Sequence, residues 1–272
     1  MARREGRLRV VVKVGTSTLT HDTGRLNLHN MERLSRTLSD LEGMGHEIIL
    51  VSSGAIGIGT AKMGLAERPT QLRMKQAAAA VGQCMMMHLY DKMFGEYNRV
   101  VAQIILTGED VDAPVRAEHL RNTFESLLEL GIIPVVNEND SVSSAEIETG
   151  QCKVLGDNDT LSAMVARLCQ ADLLVLLSDI DGLYDADPRR DPGAKLIHRV
   201  EDVTPELRAM AGGAGSWRGT GGMATKLNAA ELAMAAGVDM VITNGARPED
   251  LYSILRGEDI GTRFLAKADP SI

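Results

Sequence analysis

A lysine interrupts an apolar run near the start of the chain. Lys13 follows Val10 to Val12 and stands two residues before Gly15, which opens a small polar turn. Burying an ammonium group in such a strand is costly unless an anion meets it. Ligands of open α/β folds collect at the carboxyl ends of parallel strands, where a lysine beside glycine-turn amides suits a phosphate. The alternative is a lysine on an edge strand whose ammonium group reaches solvent.

A second lysine follows a glycine-rich segment. Gly219 to Gly222 leads into Met223-Ala224-Thr225-Lys226 at the start of a predicted helix. The segment lacks the Gly-Lys-Ser/Thr order of a Walker A loop, and no predicted strand precedes it as in a Rossmann fingerprint. Consecutive glycines nevertheless expose backbone amides, and the helix start adds positive potential. We therefore predict a second anion site here, with Lys226 one turn into the helix.

Polar clusters follow two further predicted strands and open one helix. They are Ser52 to Gly59, Asn137 to Asp140, and Gly156 to Asp159. In the cluster from Asn137 to Asp140, the mixed carboxylates and amides suit a zwitterion, because carboxylates bind its ammonium group and amides bind its carboxylate. Two alternatives stay open: an ordinary strand-to-helix turn for the first cluster, and a helix cap for Asn158 or Asp159.

An acidic loop follows the fifth predicted strand. It runs from Ser178 to Pro188, with a predicted turn at Gly182. Its spacing does not match the twelve-residue EF-hand pattern, which argues against a metal held directly by these carboxylates.

The elements that must position these residues alternate between strand and helix. Strands are predicted at 8–14, 47–51, 100–106, 132–136, 173–177 and 238–243, and helices at 29–43, 70–94, 117–130, 158–169 and 223–236. This alternation is typical of a parallel sheet covered by helices on both faces. The alanine run 77–81 and the methionines 85–87 indicate a core or subunit-facing helix at least as well as a ligand pocket.

Composition narrows the function classes. The 272 residues carry a formal net charge of −8, which disfavours nucleic-acid binding. Aromatic residues make up only 3% of the chain, which is few for a surface that stacks against bases or sugars. Cys84, Cys152 and Cys169 form no C-x-x-C pair, which argues against disulfides or zinc and favours a cytoplasmic protein. No apolar stretch approaches the roughly 20 residues that span a membrane. One large domain or two joined lobes is expected at this length.

Together the motifs resemble the amino acid kinase family over nearly the whole chain. Family-wide motifs are Lys13 with Gly15, the segment Asp179 to Pro188, and a C-terminal lysine such as Lys226. Other motifs resemble those of members that phosphorylate glutamate: Ser52 to Ala55, Lys75 to Gln83, Asn137 to Asp140, Gly156 to Asp159, and Gly219 to Met223.

The resemblance implies an architecture and an activity. It implies a three-layer αβα sandwich around a mainly parallel sheet of about eight strands, with an amino acid lobe at roughly 1–170 and a nucleotide lobe at 171–272. The implied reaction is ATP-dependent phosphorylation of the γ-carboxylate of glutamate, the first step of proline biosynthesis. Proline is the implied feedback inhibitor, Mg²⁺ is carried by ATP rather than held by the protein, and a homo-oligomer is implied.

The resemblance also implies site residues. The catalytic residues would be Lys13, Asp159 and Lys226. Glutamate would contact Ser53, Gly54, Ala55, Asn137, Asp140, Asp157 and Asn158. ATP would contact Lys13, Gly15, Ser178, Asp179, Thr220, Gly221, Gly222, Met223, Ala224, Thr225 and Lys226.

Three features depart from the family pattern. The loop 141–155 is several residues longer than usual, Ser178 stands where threonine is common, and the chain ends at Ile272 without the PUA domain of most bacterial relatives. We expect this chain to lack that domain.

Charge decides the expected mechanism. A glutamate side chain has an ordinary pKa of about 4.3, so the attacking carboxylate is ionised at neutral pH and needs no general base. Repulsion between that anion and the triphosphate is the barrier, and we predict that Lys13 and Lys226 offset it while Asp159 orients both. The alternatives are a sibling kinase acting on aspartate, acetylglutamate, carbamate or uridylate, and a non-catalytic amino acid or nucleotide sensor.

Overall fold

The computed structural model describes residues 6–21, 23, 25–142, 157–211 and 222–267. Several predicted features lie outside these residues: Gly156, Gly219, Thr220, Gly221 and most of the 141–155 loop.

The described elements begin and end as follows. The strands are β1 Arg9–Val14, β2 Glu47–Ser52, β3 Val101–Leu106, β4 Ile133–Glu138, β5 Leu173–Ser178, β6 Leu183–Tyr184, β7 Leu196–Ile197, β8 Arg199–Val200, β9 Asp239–Asn244 and β10 Thr262–Phe264. The helices are α1 Thr16–Leu19, α2 Leu28–Gly43, α3 Ala55–Lys62, α4 Leu72–Gly95, α5 Gly108–Asp112, α6 Pro114–Glu129, α7 Asn158–Leu168, α8 Pro205–Ala211, α9 Met223–Ala235 and α10 Asp250–Leu255.

An eight-stranded sheet forms the centre of the fold, in the order β3-β4-β2-β1-β5-β9-β10-β8. The six strands from β3 to β9 are parallel, and β10 runs antiparallel to β9. The predicted mainly parallel sheet of about eight strands is confirmed. Strands β8 and β10 were not predicted from the sequence, because strands of two or three residues are too short to show a hydrophobic pattern.

Helices cover both faces of the sheet. Alternate residues of β1 enter different cores: Val11 packs with α7 and α9, whereas Val10 and Val12 pack with α2 and α4. Burial on both faces explains why these strands are continuous apolar runs rather than alternating ones. Within the described residues, no helix is long and apolar enough to cross a membrane.

Helices α3 and α4 touch through their backbones. A Cβ atom on Gly59 would lie 1.8 Å from the Ala78 carbonyl oxygen, and one on Gly82 would lie 1.7 Å from the Ala55 carbonyl oxygen. Both contacts require glycine, and they place the alanine-rich face of α4 against α3. The core interpretation of this helix therefore holds for Ala78 and Met86, which are fully buried.

We expect Gly82→Ala to lower the free energy of unfolding by about 3 kcal/mol or more, since a backbone carbonyl cannot yield as a side chain can. Gly57→Ala is the matched control, because a Cβ there meets nothing within 4 Å. In helix α3 that control should be neutral or stabilising by up to about 1 kcal/mol. Urea denaturation measures both, and equal effects of the two changes would contradict the close-contact argument.

Candidate active site

The predicted site residues gather where parallel strands end. Register pairs Val14 of β1 with Ser52 of β2 and with Leu177 of β5, so these strands finish at one edge of the sheet. Strand β1 has a partner on each side, and Lys13 therefore lies on a central strand. The edge-strand interpretation of Lys13 is wrong, and its ammonium group needs a partner within the protein.

That partner is Asp159, which also meets the second lysine. Lys13 Nζ lies 2.5 Å from Asp159 Oδ1, and Lys226 Nζ lies 3.1 Å from Asp159 Oδ2. The hydroxyl of Thr225 donates to Asp159 Oδ2 at 3.0 Å. Asp159 is 1% exposed and each lysine 8% exposed. Three segments distant in sequence thus meet in a buried cluster of two cations and one anion.

The Asp159 carboxylate stays ionised. Burial alone would raise its pKa, but the charges of Lys13 and Lys226 outweigh burial and hold the pKa below the ordinary aspartate value. Asp159 lies in the first turn of α7, where the helix dipole also favours an anion. The cluster keeps one net positive charge at this helix start, which suits a phosphoryl group.

The cap of helix α7 is a different residue. The Asp157 side chain accepts from the backbone N–H of Thr160 at 2.8 Å and from its hydroxyl at 3.3 Å. The alternative that Asn158 or Asp159 caps the helix is therefore wrong. Capping by Asp157 engages both of its carboxylate oxygens, and its predicted contact with glutamate stays a prediction.

A cluster of amides adjoins the charged cluster. Asn158 Nδ2 donates to Ser53 Oγ at 2.8 Å and to Asn137 Oδ1 at 3.1 Å. Asn137 Nδ2 donates in turn to Gln83 Oε1 at 2.8 Å. We predicted that Asn137 follows its strand, but β4 extends through Glu138, so the backbone of Asn137 is held by the sheet. No role for Gln83 was predicted, although it ends one of the quoted motifs.

Glycine shapes the turn between β2 and α3. Gly54 has a φ of +104°, a left-handed conformation that other residues rarely adopt, and it precedes Ala55, the first residue of α3. This conformation turns the chain directly from Ser53 into the helix. The start of α3 consequently presents backbone N–H groups beside the amide cluster.

Asp140 is separate from the amide cluster in its described contacts. Burial raises the pKa of its carboxyl, while the charge of Arg68 acts in the opposite direction. A carboxylate set in partly apolar surroundings is suited to pairing with an arriving ammonium group.

The predicted nucleotide residues on β5 lie at the same sheet edge. The Ser178 hydroxyl donates to Asp179 Oδ1 at 3.2 Å, and Arg189 donates to the other Asp179 oxygen at 3.2 Å. Two residues that sequence reasoning missed, Asn244 and Arg247, donate to Asp181 Oδ1 at 3.0 and 2.9 Å. No sequence motif marked them, because they reach Asp181 only through the pairing of β9 with β5, which sets Asn244 beside Ser178.

Gly182 lies in the bend over residues 179–182 that precedes β6 and also has a packing role. A Cβ there would lie 2.5 Å from Thr262 Oγ1 and 2.8 Å from the Leu196 side chain. The acidic loop therefore crosses close to β10. Beside it, Leu183 and Tyr184 pair with Leu196 and Ile197 in a small separate sheet.

Fold and site together define a class of α/β protein in which a buried cluster of two lysines and one aspartate, suited to a phosphoryl group, adjoins a cluster of side-chain amides. The chain belongs to the amino acid kinase family, whose sequence pattern matches residues 8–244. The predicted resemblance is confirmed.

Individual relatives agree with this assignment. A glutamate 5-kinase of Clostridium perfringens is 55% identical over 259 residues, covering 95% of this chain and 96% of that protein. A glutamate 5-kinase of Listeria monocytogenes is 52% identical, covering 96% and 94%. The crystal structure of a UMP kinase from Bacillus anthracis superposes with a TM-score of 0.65 at 18% identity, covering 96% of each chain, which supports the fold alone.

We expect Asp159→Asn to destabilise the protein at neutral pH by about 3 kcal/mol or more, because two buried ammonium groups lose their counter-ion. Since the folded pKa of Asp159 is depressed, its contribution is present above the unfolded pKa of about 3.9 and is lost as the pH falls through the folded value. Urea unfolding at pH 7 and pH 3 should show the wild-type advantage shrinking in acid.

The matched control is Asp157→Asn, which keeps a good capping residue and should change stability little at either pH. An Asp159→Asn penalty that is equal at both pH values would show that the ion cluster is not its origin.

Proposed function

We propose that this chain transfers the γ-phosphoryl group of ATP to the γ-carboxylate of glutamate, forming glutamate 5-phosphate in proline biosynthesis. The observation that carries the proposal is the meeting of Lys13, Asp159 and Lys226 directly beside the Asn158 amide cluster. Relatives at 51–55% identity over about 95% of the chain are glutamate 5-kinases, which favours glutamate over the substrates of sibling kinases.

The amide cluster is suited to a free amino acid. Ser53 and Asn137 are uncharged and both accept from the uncharged Asn158, and Asp140 supplies a carboxylate two residues after the end of β4. A phosphorylated acceptor such as uridylate would favour arginine or lysine in these positions. We assign the α-ammonium group of glutamate to Asp140 and its carboxylates to the amides and to the N–H groups at the start of α3.

The two lysines lower the electrostatic repulsion between the substrates. An ionised γ-carboxylate must approach a triphosphate, and the repulsion between them is the main cost of reaction. Lys13 and Lys226 offset the negative charge that crowds the transferring phosphoryl group. Asp159 holds both ammonium groups in place and accepts no proton, because its pKa is depressed by those same lysines.

Magnesium fits this site as an ion carried by ATP. Both Asp159 oxygens already face ammonium groups, which would repel a metal ion. When bound with ATP, Mg²⁺ supplies further neutralisation of the triphosphate. The protein's own contribution is to hold the nucleotide, and we assign that role to Ser178, Asp179 and the segment from Gly222 to Lys226.

The residues assigned to the two substrates lie on different parts of the sheet. Residues assigned to glutamate lie at or just after the ends of β2 and β4 and at the start of α7, within 1–170, whereas those assigned to ATP lie at the end of β5 and the start of α9, within 171–272. Lys13 on β1 stands between the two sets. We propose that these are the amino acid lobe and the nucleotide lobe.

Three further properties belong to the same proposal. Proline shares the zwitterionic group of glutamate, which supports competition at the amide cluster. A cytoplasmic setting agrees with an ATP-dependent biosynthetic reaction. A homo-oligomer is consistent with exposed apolar side chains such as Val81 and Ile105.

The test of the activity is hydroxamate trapping of the acyl phosphate. We expect hydroxamate from ATP and glutamate, little from aspartate, and none without ATP. A product with carbamate, aspartate or acetylglutamate but not glutamate would favour a sibling kinase. Glutamate binding by calorimetry without any acyl phosphate would favour the sensor.

Two substitutions should separate turnover from affinity. Lys226→Ala should lower kcat about 100-fold or more, since it removes a charge-stabilising group of the transition state. Asn158→Ala should raise KM for glutamate about tenfold or more, since it removes several hydrogen bonds of the amide cluster. Steady-state kinetics measures both, with Lys92→Ala on the exposed side of α4 as control. Wild-type kcat in Lys226→Ala would contradict the charge-offsetting role.

A further inference from the structure

The amide cluster is a chain of hydrogen bonds with a defined direction. Asn158 Nδ2 also lies 3.3 Å from the backbone carbonyl oxygen of Ser52, which can only accept. That carbonyl therefore fixes which end of the Asn158 amide is nitrogen. The two hydrogens of Asn158 Nδ2 are shared among three oxygens, those of Ser53 at 2.8 Å and Asn137 at 3.1 Å and the more distant Ser52 carbonyl, so Asn137 presents its oxygen to Asn158.

Gln83 lies at the other end of this hydrogen-bonded chain. Its Oε1 accepts from Asn137 Nδ2 at 2.8 Å, and the side chain is 9% exposed on α4. With its nitrogen bound to Gln83, Asn137 has its oxygen left for Asn158. The Ser52 carbonyl thus sets the direction, and Gln83 Oε1 is the acceptor that this direction requires at the opposite end.

The direction decides what Ser53 can do. The Ser53 hydroxyl oxygen accepts from Asn158, so the hydroxyl hydrogen of Ser53 takes no part in this series of hydrogen bonds. Were the chain reversed, the Ser53 hydroxyl would have to donate to the Asn158 oxygen. In the observed direction the hydroxyl is available as a donor to a carboxylate.

The helix that carries Gln83 cannot slide relative to the site. Gly82, its neighbour, packs its Cα against the Ala55 carbonyl oxygen at the start of α3. This backbone contact sets the position of Gln83 relative to the Ser53-Gly54-Ala55 turn.

Two buried polar atoms of this hydrogen-bonded series have no partner among the described residues. Gln83 Nε2 and Asn158 Oδ1 have no hydrogen-bond partner among the described residues and are closed to solvent. Buried amides are normally satisfied. The unpartnered Nε2 of Gln83 therefore costs stability, for which a packing role offers no reason.

We propose that Gln83 is a positioning residue for the amino acid subsite: through Asn137 and Asn158 it holds the Ser53 hydroxyl as a hydrogen-bond donor to the substrate carboxylate. This inference rests on the proposed function. Gln83 acts through its Oε1 acceptor, since its Nε2 is enclosed by protein.

Two variants test the acceptor. Gln83→Met keeps the size and shape of the side chain but removes the acceptor, and should raise KM for glutamate about tenfold, with kcat and KM for ATP within about twofold of wild type. Gln83→Glu keeps an oxygen acceptor for Asn137 and should restore KM to within about threefold. Gln83→Leu replaces the Met variant if that one does not fold. Cys84→Ser, at the exposed neighbouring position, is the matched control.

The outcomes separate this inference from the proposed function. Raised KM in Gln83→Met with recovery in Gln83→Glu supports it. Unchanged KM in Gln83→Met, or equal damage in both variants, overturns it while an active wild type leaves the kinase activity intact. A wild-type protein that makes no acyl phosphate from glutamate overturns the activity and this inference together.

Discussion

The buried contact of one carboxylate with two ammonium groups is the constraint on which the site depends. Two lysines with little exposure repel each other, and burying an ammonium group without an anion beside it is costly. Asp159 compensates both, and its own burial is compensated by them in return. The positive charges are thus in place before any substrate arrives, which is the condition for electrostatic catalysis without reorganisation.

The parallel sheet makes that contact possible. Lys13 comes from the central strand β1, and its neighbours β2 and β5 end at the same edge. Helix α7 begins over this edge and carries Asn158 and Asp159 as consecutive residues. One side chain joins the amide cluster and the next joins the cation cluster, so a single helical turn brings these two clusters together.

Packing between helices α3 and α4 supports the amide cluster. The backbone contacts of Gly59 and Gly82 hold α3 and α4 closer than side chains would allow. The same two helices supply the N–H groups after Gly54 and the amide of Gln83. A neutral hydrogen-bonded cluster selects by shape and donor arrangement, and it adds no charge to compete with the two lysines.

The sequence by itself determined the six long parallel strands, the main helices and the family, because continuous apolar runs and motifs are local patterns. It also indicated that Lys13, Asp159 and Lys226 act together, although only as a resemblance. Tertiary structure decided that Asp157 caps α7 while Asp159 turns inward, that Gln83 completes the amide cluster, and that Asn244 and Arg247 meet Asp181. Short strands such as β8 and β10 likewise exist only through pairing with distant neighbours. Apart from the local cap of Asp157, the physical reason is the same: hydrogen bonds and ion pairs between residues far apart in sequence depend on chain positions that no local pattern specifies.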